Sequence, residues 1–365
     1  MNATVRRVVI GTAAISMAVS LAACGKAGGD DKDGGSGGDS KTIGLLLPEN
    51  KTTRYETFDR PIMEKKIKSL CSDCDVKYNN ATQDSETQKK QFDALITQGV
   101  KVIILDAVDA QATKSWVDRA AKKGVKVVAY DRLAEGDITS YVSYDNEKIG
   151  ELQGQGLVDA LGDKAKDSNV VMINGSPTDP NAPLFKKGAH SVLDKKVKKI
   201  VYEQDIPDWS PDEANKKMGA AITKLGKDGF QGVYAANDGM AGGVSTAMKK
   251  QGVKDVPLGG QDSELAGLQR IIKGDQTLTI YKAIKPQAET TASIAVDLLK
   301  GKKFDSLTPK KVDSKSKKGV PAQLYSAQVV TKDNIKDTIV KDKVYKVSQI
   351  CTPQFAKACK AAGLM

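Results

Sequence analysis

The feature that most constrains this chain is the alternation of short apolar runs with longer amphipathic ones. Val100 to Leu105, Val125 to Tyr130 and Asn169 to Ile173 are almost continuously apolar. Between such runs lie stretches like Ser85 to Gln98, whose apolar positions include Phe92, Leu95 and Ile96. A strand apolar on both sides is buried on both faces, and that requires a parallel sheet covered by helices. Thr42 to Leu47 and Val76 to Tyr78 read as further strands, and Arg54 to Leu70 as a helix. The pattern restarts after Asp145, with a helix over Glu147 to Leu161 and strands at Lys199 to Glu203, Gly232 to Ala236 and Val256 to Gly259. The expectation is an α/β chain of two doubly wound parallel-sheet lobes joined by a multi-strand hinge. The first lobe is expected over 41–145 plus 283–316, and the second over 146–281 plus 320–348. Hinges are expected after Asp145, near Lys282, and near Lys317 to Pro321. A last strand-like run covers Ala322 to Val330, and 349–365 forms a tail.

The N-terminus reads as a processing signal. Arg6 and Arg7 supply positive charge, Val8 to Leu21 is mostly apolar, and Leu21-Ala22-Ala23-Cys24 follows. Small residues before a cut mark a secretory signal peptide. A cysteine directly after Leu-Ala-Ala marks a lipoprotein, so residues 1–23 are expected to be removed and Cys24 to carry lipid. The apolar run is too short and too interrupted to be a good spanning helix. Residues 24–40 are nearly all Gly, Ser, Asp and Lys and read as a flexible linker. The protein is thus expected to be exported and lipid-anchored at the outer face of the cell membrane.

Of five cysteines, Cys24 is assigned to lipid, leaving Cys71, Cys74, Cys351 and Cys359. An even number in an oxidising compartment implies disulfides. Three pairings are possible. Closeness in sequence favours Cys71 with Cys74 and Cys351 with Cys359. A redox Cys-x-x-Cys is the second reading, but Cys71 follows a helix rather than opening one, and so lacks the dipole that lowers a thiol pKa. A four-cysteine zinc site is the third. The formal charge is +11, and loss of residues 1–23 takes away two arginines and no acids, leaving +9. The lysines are spread out, with no interleaved aromatics of the kind a nucleic-acid platform needs. Nucleic acid is therefore not an expected partner.

In open parallel sheets, ligands bind beyond the carboxyl ends of the strands. Those positions here hold Glu49 to Arg54, Asp106, Asp131-Arg132, Asn174 to Asn181, Asp205 to Trp209, Asn237-Asp238, Gln261-Asp262 and Tyr281-Lys282. Planar carboxylate, amide and guanidinium groups hold adjacent hydroxyls in pairs. Trp209, one of two tryptophans, offers a flat apolar face for the C–H side of a sugar ring. Taken singly, a strand-end acid such as Asp131 or Asp145 is as readily a helix cap, and Trp209 could be packing. Their joint occurrence at every expected position favours a site. Gly150, Gly154 and Gly156 lie within a helix and make no dinucleotide fingerprint. His190, the single histidine, lies in an amphipathic helix and reads as a surface residue.

With these residues in view, the chain resembles the periplasmic sugar-binding proteins of ABC importers, and within them the D-xylose-binding proteins. The stretches that carry the resemblance include Val127-Ala-Tyr-Asp-Arg132, Ser143-Tyr-Asp-Asn-Glu-Lys148, Gly175-Ser-Pro-Thr-Asp-Pro-Asn-Ala182, Gly260-Gln-Asp262 and Gln276-Thr-Leu-Thr-Ile-Tyr-Lys282. The resemblance implies sugar contacts from Arg54, Asp131, Arg132, Asn181, Trp209, Asn237, Asp262 and Lys282, with Phe185 and Tyr55 behind them. It also implies a monosaccharide ligand, D-xylose first and glucose, galactose, ribose or arabinose as alternatives. The implied partners are an ABC permease with its ATPase subunits, and the implied form is a monomer without cofactor or metal. Both cysteine pairs fall outside the shared pattern. A carbohydrate-active enzyme on the same fold is the competing class. Against it, the chain has no Gly-x-Ser-x-Gly elbow, no His-Glu-x-x-His and a single histidine. A sugar-sensing regulator would need a helix-turn-helix module where the signal and linker stand.

Overall fold

The computed structural model describes residues 41–365. The expected signal peptide, Cys24 and the expected linker lie outside the described residues. The first five strands are β1 (Thr42–Leu47), β2 (Asp75–Asn80), β3 (Val102–Leu105), β4 (Lys126–Tyr130) and β5 (Ser140–Tyr144). Their mutual pairings are all parallel. Alternate side chains leave the sheet on opposite faces. Ile43, Leu45, Leu47, Val102, Ile104 and Val128 therefore enter one core, beneath helices Arg60–Leu70 and Ile284–Leu299. Leu46, Ile103, Leu105, Val127 and Ala129 enter another, beneath helices Ser85–Thr97 and Lys114–Lys122. Gly44 lies on that second face, where a Cβ would stand 2.6 Å from Leu95 Cδ1. This is the doubly wound lobe that the apolar runs predict.

The second lobe holds β6 (Asn169–Asn174), β7 (Lys199–Asp205) and β8 (Gly232–Ala235), all parallel, in the order β7-β6-β8. Leu258 bridges to Val233, and the carbonyls of Leu258 and Gly260 accept from Thr277 (2.8 Å) and Ile280 (3.1 Å). These bonds carry the sheet on to β9 (Leu278–Lys282). Its core runs from Tyr144 and Ile149 through Met172, Phe185 and Trp209 to Met248 and Ile280.

The chain crosses between lobes after β5, after β9 and once more near its end. There the structure corrects the sequence reading. Ala322 to Val330 is not one strand. β10 (Lys310–Val312) and β11 (Val320–Tyr325) complete the first sheet, giving β10-β11-β5-β4-β3-β1-β2. β12 (Ala327–Thr331) then pairs antiparallel with β9 in the second lobe. The third crossing is thus at Ser326 rather than near Lys317 to Pro321, and Val320–Tyr325 belongs to the first sheet. Lys317 instead folds back on the first lobe, donating to the Ile138 carbonyl at 2.7 Å.

Cys71 pairs with Cys74 and Cys351 with Cys359. Cys71 directly follows helix Arg60–Leu70, as the sequence order implies. The tail beyond β12 packs Ile335, Ile339, Tyr345, Ile350 and Leu364 against Leu268, Ile271 and Ile272 of helix Leu265–Lys273. Among the described residues, no helix is long and apolar enough to cross a membrane.

Candidate functional site

Between the carboxyl ends of the two sheets lies a small cavity. All eight residues singled out from the sequence line it: Arg54, Asp131 and Arg132 from the first lobe, and Asn181, Trp209, Asn237, Asp262 and Lys282 from the second. Each is buried except Asp262, which is nearly so, its side chain 6% exposed.

Arg54 stands at the start of a π-helical turn, Tyr55–Asp59, that runs into the first long helix. Its guanidinium grips Asp59 through two nitrogens, at 3.0 and 2.6 Å. It also donates to Asp131 Oδ2 (3.0 Å), the Tyr130 hydroxyl (3.1 Å) and Gln287 Oε1 (2.8 Å). Five donors in a fixed fork suit this role. Asp131 follows β4 in a left-handed conformation (φ 58°). Its carboxylate also accepts from Gln287 Nε2 (3.1 Å) and Asn181 Nδ2 (3.3 Å). Burial by itself pushes the Asp131 carboxyl up. The charges of Arg54 and Lys282 and the Gln287 hydrogen bond outweigh it and hold the group at about 2. Asp131 is thus not the helix cap it could have been. Asp145 is one, accepting from Lys148 N at 3.2 Å.

Arg132 lies beside Asp131 and bridges the lobes. Its Nε is 2.8 Å from Asp179 Oδ2 and 3.5 Å from Asp106 Oδ1, and Nη1 donates to the Ala107 carbonyl at 3.0 Å. Asp106 is fully buried, and neither of its oxygens accepts a protein hydrogen bond. Burial drives its carboxyl well up, against the pull of Arg132, and Asp179 is displaced the same way for the same reason.

The second lobe supplies the apolar wall and the opposite charges. Trp209 (φ 51°) donates from Nε1 to Asp179 Oδ2 at 3.1 Å, and its ring meets Phe185 edge-on at 6.5 Å. The ring fits because residue 175 is glycine: a Cβ there would stand 2.1 Å from Trp209 Cη2. Asn181 opens helix Ala182–Lys196, and its Oδ1 accepts from Asn146 at 2.8 Å. Asn237 caps helix Asp238–Lys250 through Met240 N (2.9 Å), so it serves as cap and lining residue together. Asp262 (φ 93°) pairs with Lys282 at 2.8 Å, and the Lys282 ammonium lies 5.5 Å from the Tyr144 ring centre. Three lining residues in the left-handed region cost about 1–3 kcal/mol each, a kind of strain that clusters at functional sites.

Sequence reasoning missed Gln287 and Asp59, which orient Arg54 and Asp131. Both lie on helices rather than at strand ends, where nothing marks them. Asp179 stood within the Asn174 to Asn181 segment but was not singled out. Tyr55 and Phe185 also line the cavity. His190 lies outside it, on helix Ala182–Lys196, facing Asp194 (3.1 Å) and Glu203 (3.3 Å).

Chemically, the cavity is a small space ringed by buried carboxylates, amides and cations, with aromatic rings among them. Such a set holds a small neutral polyol, whose hydroxyls both donate and accept.

Comparison with known proteins agrees with this geometry. A sequence model of the periplasmic binding protein domain matches residues 43–303. The D-xylose-binding periplasmic protein of Escherichia coli (strain K12) is 38% identical over 314 residues, 84% of this chain and 92% of that one. The D-xylose-binding periplasmic protein of Haemophilus influenzae is 35% identical over 306 residues, covering 82% and 89%. An ABC transporter solute-binding protein from Clostridium phytofermentans, solved with β-D-glucose bound, superposes with a TM-score of 0.74 at 25% identity, covering 85% and 99%. The chain belongs to the periplasmic binding protein family, with the type I two-lobed fold, among the sugar-binding proteins of ABC transport.

Proposed function

We propose that this chain binds one monosaccharide, D-xylose, in the cleft between its lobes and presents the closed form to an ABC permease. The observation that carries this reading is the interlobe cavity itself. Both lobes contribute planar hydrogen-bonding groups to this one small space. Arg54, Asp131, Arg132, Asn181, Asn237, Asp262 and Lys282 are the proposed hydroxyl contacts, and Trp209 the stacking face. Because ligands would touch both lobes, binding favours closure about the three crossings. The names of two relatives favour D-xylose. The glucose in the Clostridium phytofermentans protein supports a hexose as the second reading.

No enzymatic step is proposed. The relatives at 38% and 35% identity are named as sugar-binding proteins, and that supports a binding role. We further propose that Cys24 is lipidated, keeping the monomeric binding body near its permease and raising its effective concentration there. A thermal-shift panel of pentoses and hexoses tests the sugar reading. Stabilisation by D-xylose exceeding that by glucose, galactose, ribose and arabinose is expected. A larger shift with glucose would move the assignment to the hexose.

A further inference from the structure

Outside the cavity, the lobes meet again through the C-terminal tail. Phe58 belongs to the π-helical turn Tyr55–Asp59 of the first lobe, the turn that opens at Arg54. Its ring stands edge-on to Tyr345 of the tail, 5.5 Å between centres and 69° between planes. Tyr345 is buried with Leu268, Ile271 and Ile272 of the second lobe. The tail is held there by more than apolar contact. Gln269 Nε2 donates to the carbonyls of Gln349 and Ile350 (3.3 Å each), and Cys351–Cys359 staples the segment just beyond. Beside this contact, Glu264 of the second lobe accepts from Thr53 N (3.1 Å) and Thr53 Oγ1 (3.2 Å). The tail lies beyond residue 303, where the family match ends.

We propose that the stapled tail is an interlobe latch, and that Tyr345 is a positioning residue for ligand retention through its contact with Phe58. Three features point this way. The contact joins opposite lobes, so an opening that parts Phe58 from Tyr345 breaks it. Neither Phe58 nor Tyr345 lines the cavity. The contact bears on the turn that places Arg54 and Tyr55, so losing it loosens both closure and the first lobe's contact set. A side contact that opening must break slows opening and hence ligand release, with little effect on encounter. The inference rests on the sugar-binding reading above.

The test is a double-mutant cycle on the full chain, read as the D-xylose dissociation rate by stopped flow. Phe58→Ala and Tyr345→Ala are each expected to speed release about three- to tenfold, the scale of one aromatic pair, with association changed less than twofold. The double variant should be no faster than the quicker single variant. Tyr345→Phe keeps the ring and should restore the wild-type rate. Phe58→Ala trims a first-lobe residue that packs on the tail's core from outside and changes no tail residue, so it remains decisive if Tyr345→Ala unfolds the tail. Unchanged release in Phe58→Ala, or strictly additive effects, would overturn the latch while leaving sugar binding intact. Absence of wild-type binding to D-xylose or any other sugar tested would instead overturn the reading on which it rests.

Discussion

Arg54 and Asp131 form a buried ion pair at 3.0 Å, and each has a second partner that keeps it in place: Asp59 for Arg54, Gln287 for Asp131. A buried charge left alone is costly, and pairing with further hydrogen bonds offsets much of that cost. The pair therefore explains how a cavity can be lined with charge and still be stable. It also presents a ligand with polar atoms whose positions are already fixed.

Asp131→Asn keeps the shape and removes the charge. It should weaken sugar binding about 10- to 100-fold, the worth of one charge-assisted hydrogen bond, while the protein still melts cooperatively. Calorimetry and a thermal melt on the same sample check both halves.

The same residue sets an acid limit. Its ordinary value is 3.8 and its folded value about 2, so the folded state binds fewer protons between them. The stability that Asp131 contributes, about 2 kcal/mol, is complete above about pH 4 and is lost as pH falls toward 2. Stability curves of wild type and Asp131→Asn should converge over that window, with the variant flatter.

Glu264 and Asp238 work in the opposite direction. Burial first, then the neighbouring acids, pushes Glu264 up to about 8. Burial and Asp262 push Asp238 up to about 7, against Arg270 and Gln276. An acid whose folded value is raised contributes stability that is full below its unfolded value and is lost as pH rises through the folded one. The protein should therefore lose stability between about pH 4.5 and pH 8. Glu264→Gln keeps an acceptor for Thr53 and cannot ionise. It should melt about 2 °C or more above wild type at pH 8.5 and match it at pH 5.

Much of this site was legible because strand ends are marked in the sequence. Asp131-Arg132, Asn237 and Lys282 each follow or end an apolar run, and the resemblance singled out the same positions. Gln287 and Asp59 were not legible. On a helix surface their spacing is ordinary, and only the fold brings them to Arg54. The switch at Ser326 was hidden for a related reason. Ala322 to Val330 carries no Gly or Pro to mark a break, and a strand that changes sheets without a turn reads as one strand. Asp145 and Asp131 show the limit from the other side: both follow apolar runs, and only structure separates the cap from the lining residue.

Gly175→Ala tests the aromatic wall without touching a ligand contact. The added methyl group meets the Trp209 ring at 2.1 Å, so the ring must move. Binding should weaken at least about tenfold, the loss of one stacked ring's contact. Trp116 lies in the core of the first lobe, so a sugar-induced change in tryptophan fluorescence should come from Trp209. It should shrink in Gly175→Ala and vanish in Trp209→Phe.

The central claim is that a monosaccharide binds between the lobes on the residues named. Its most direct test is isothermal titration of D-xylose into the wild-type protein and into Asp262→Ala, followed by the other pentoses and hexoses. The account predicts one site per chain with a micromolar or tighter Kd for D-xylose, and a loss of about 10- to 100-fold in the variant, whose fold is retained. Heat from none of the sugars in the wild-type protein would contradict it.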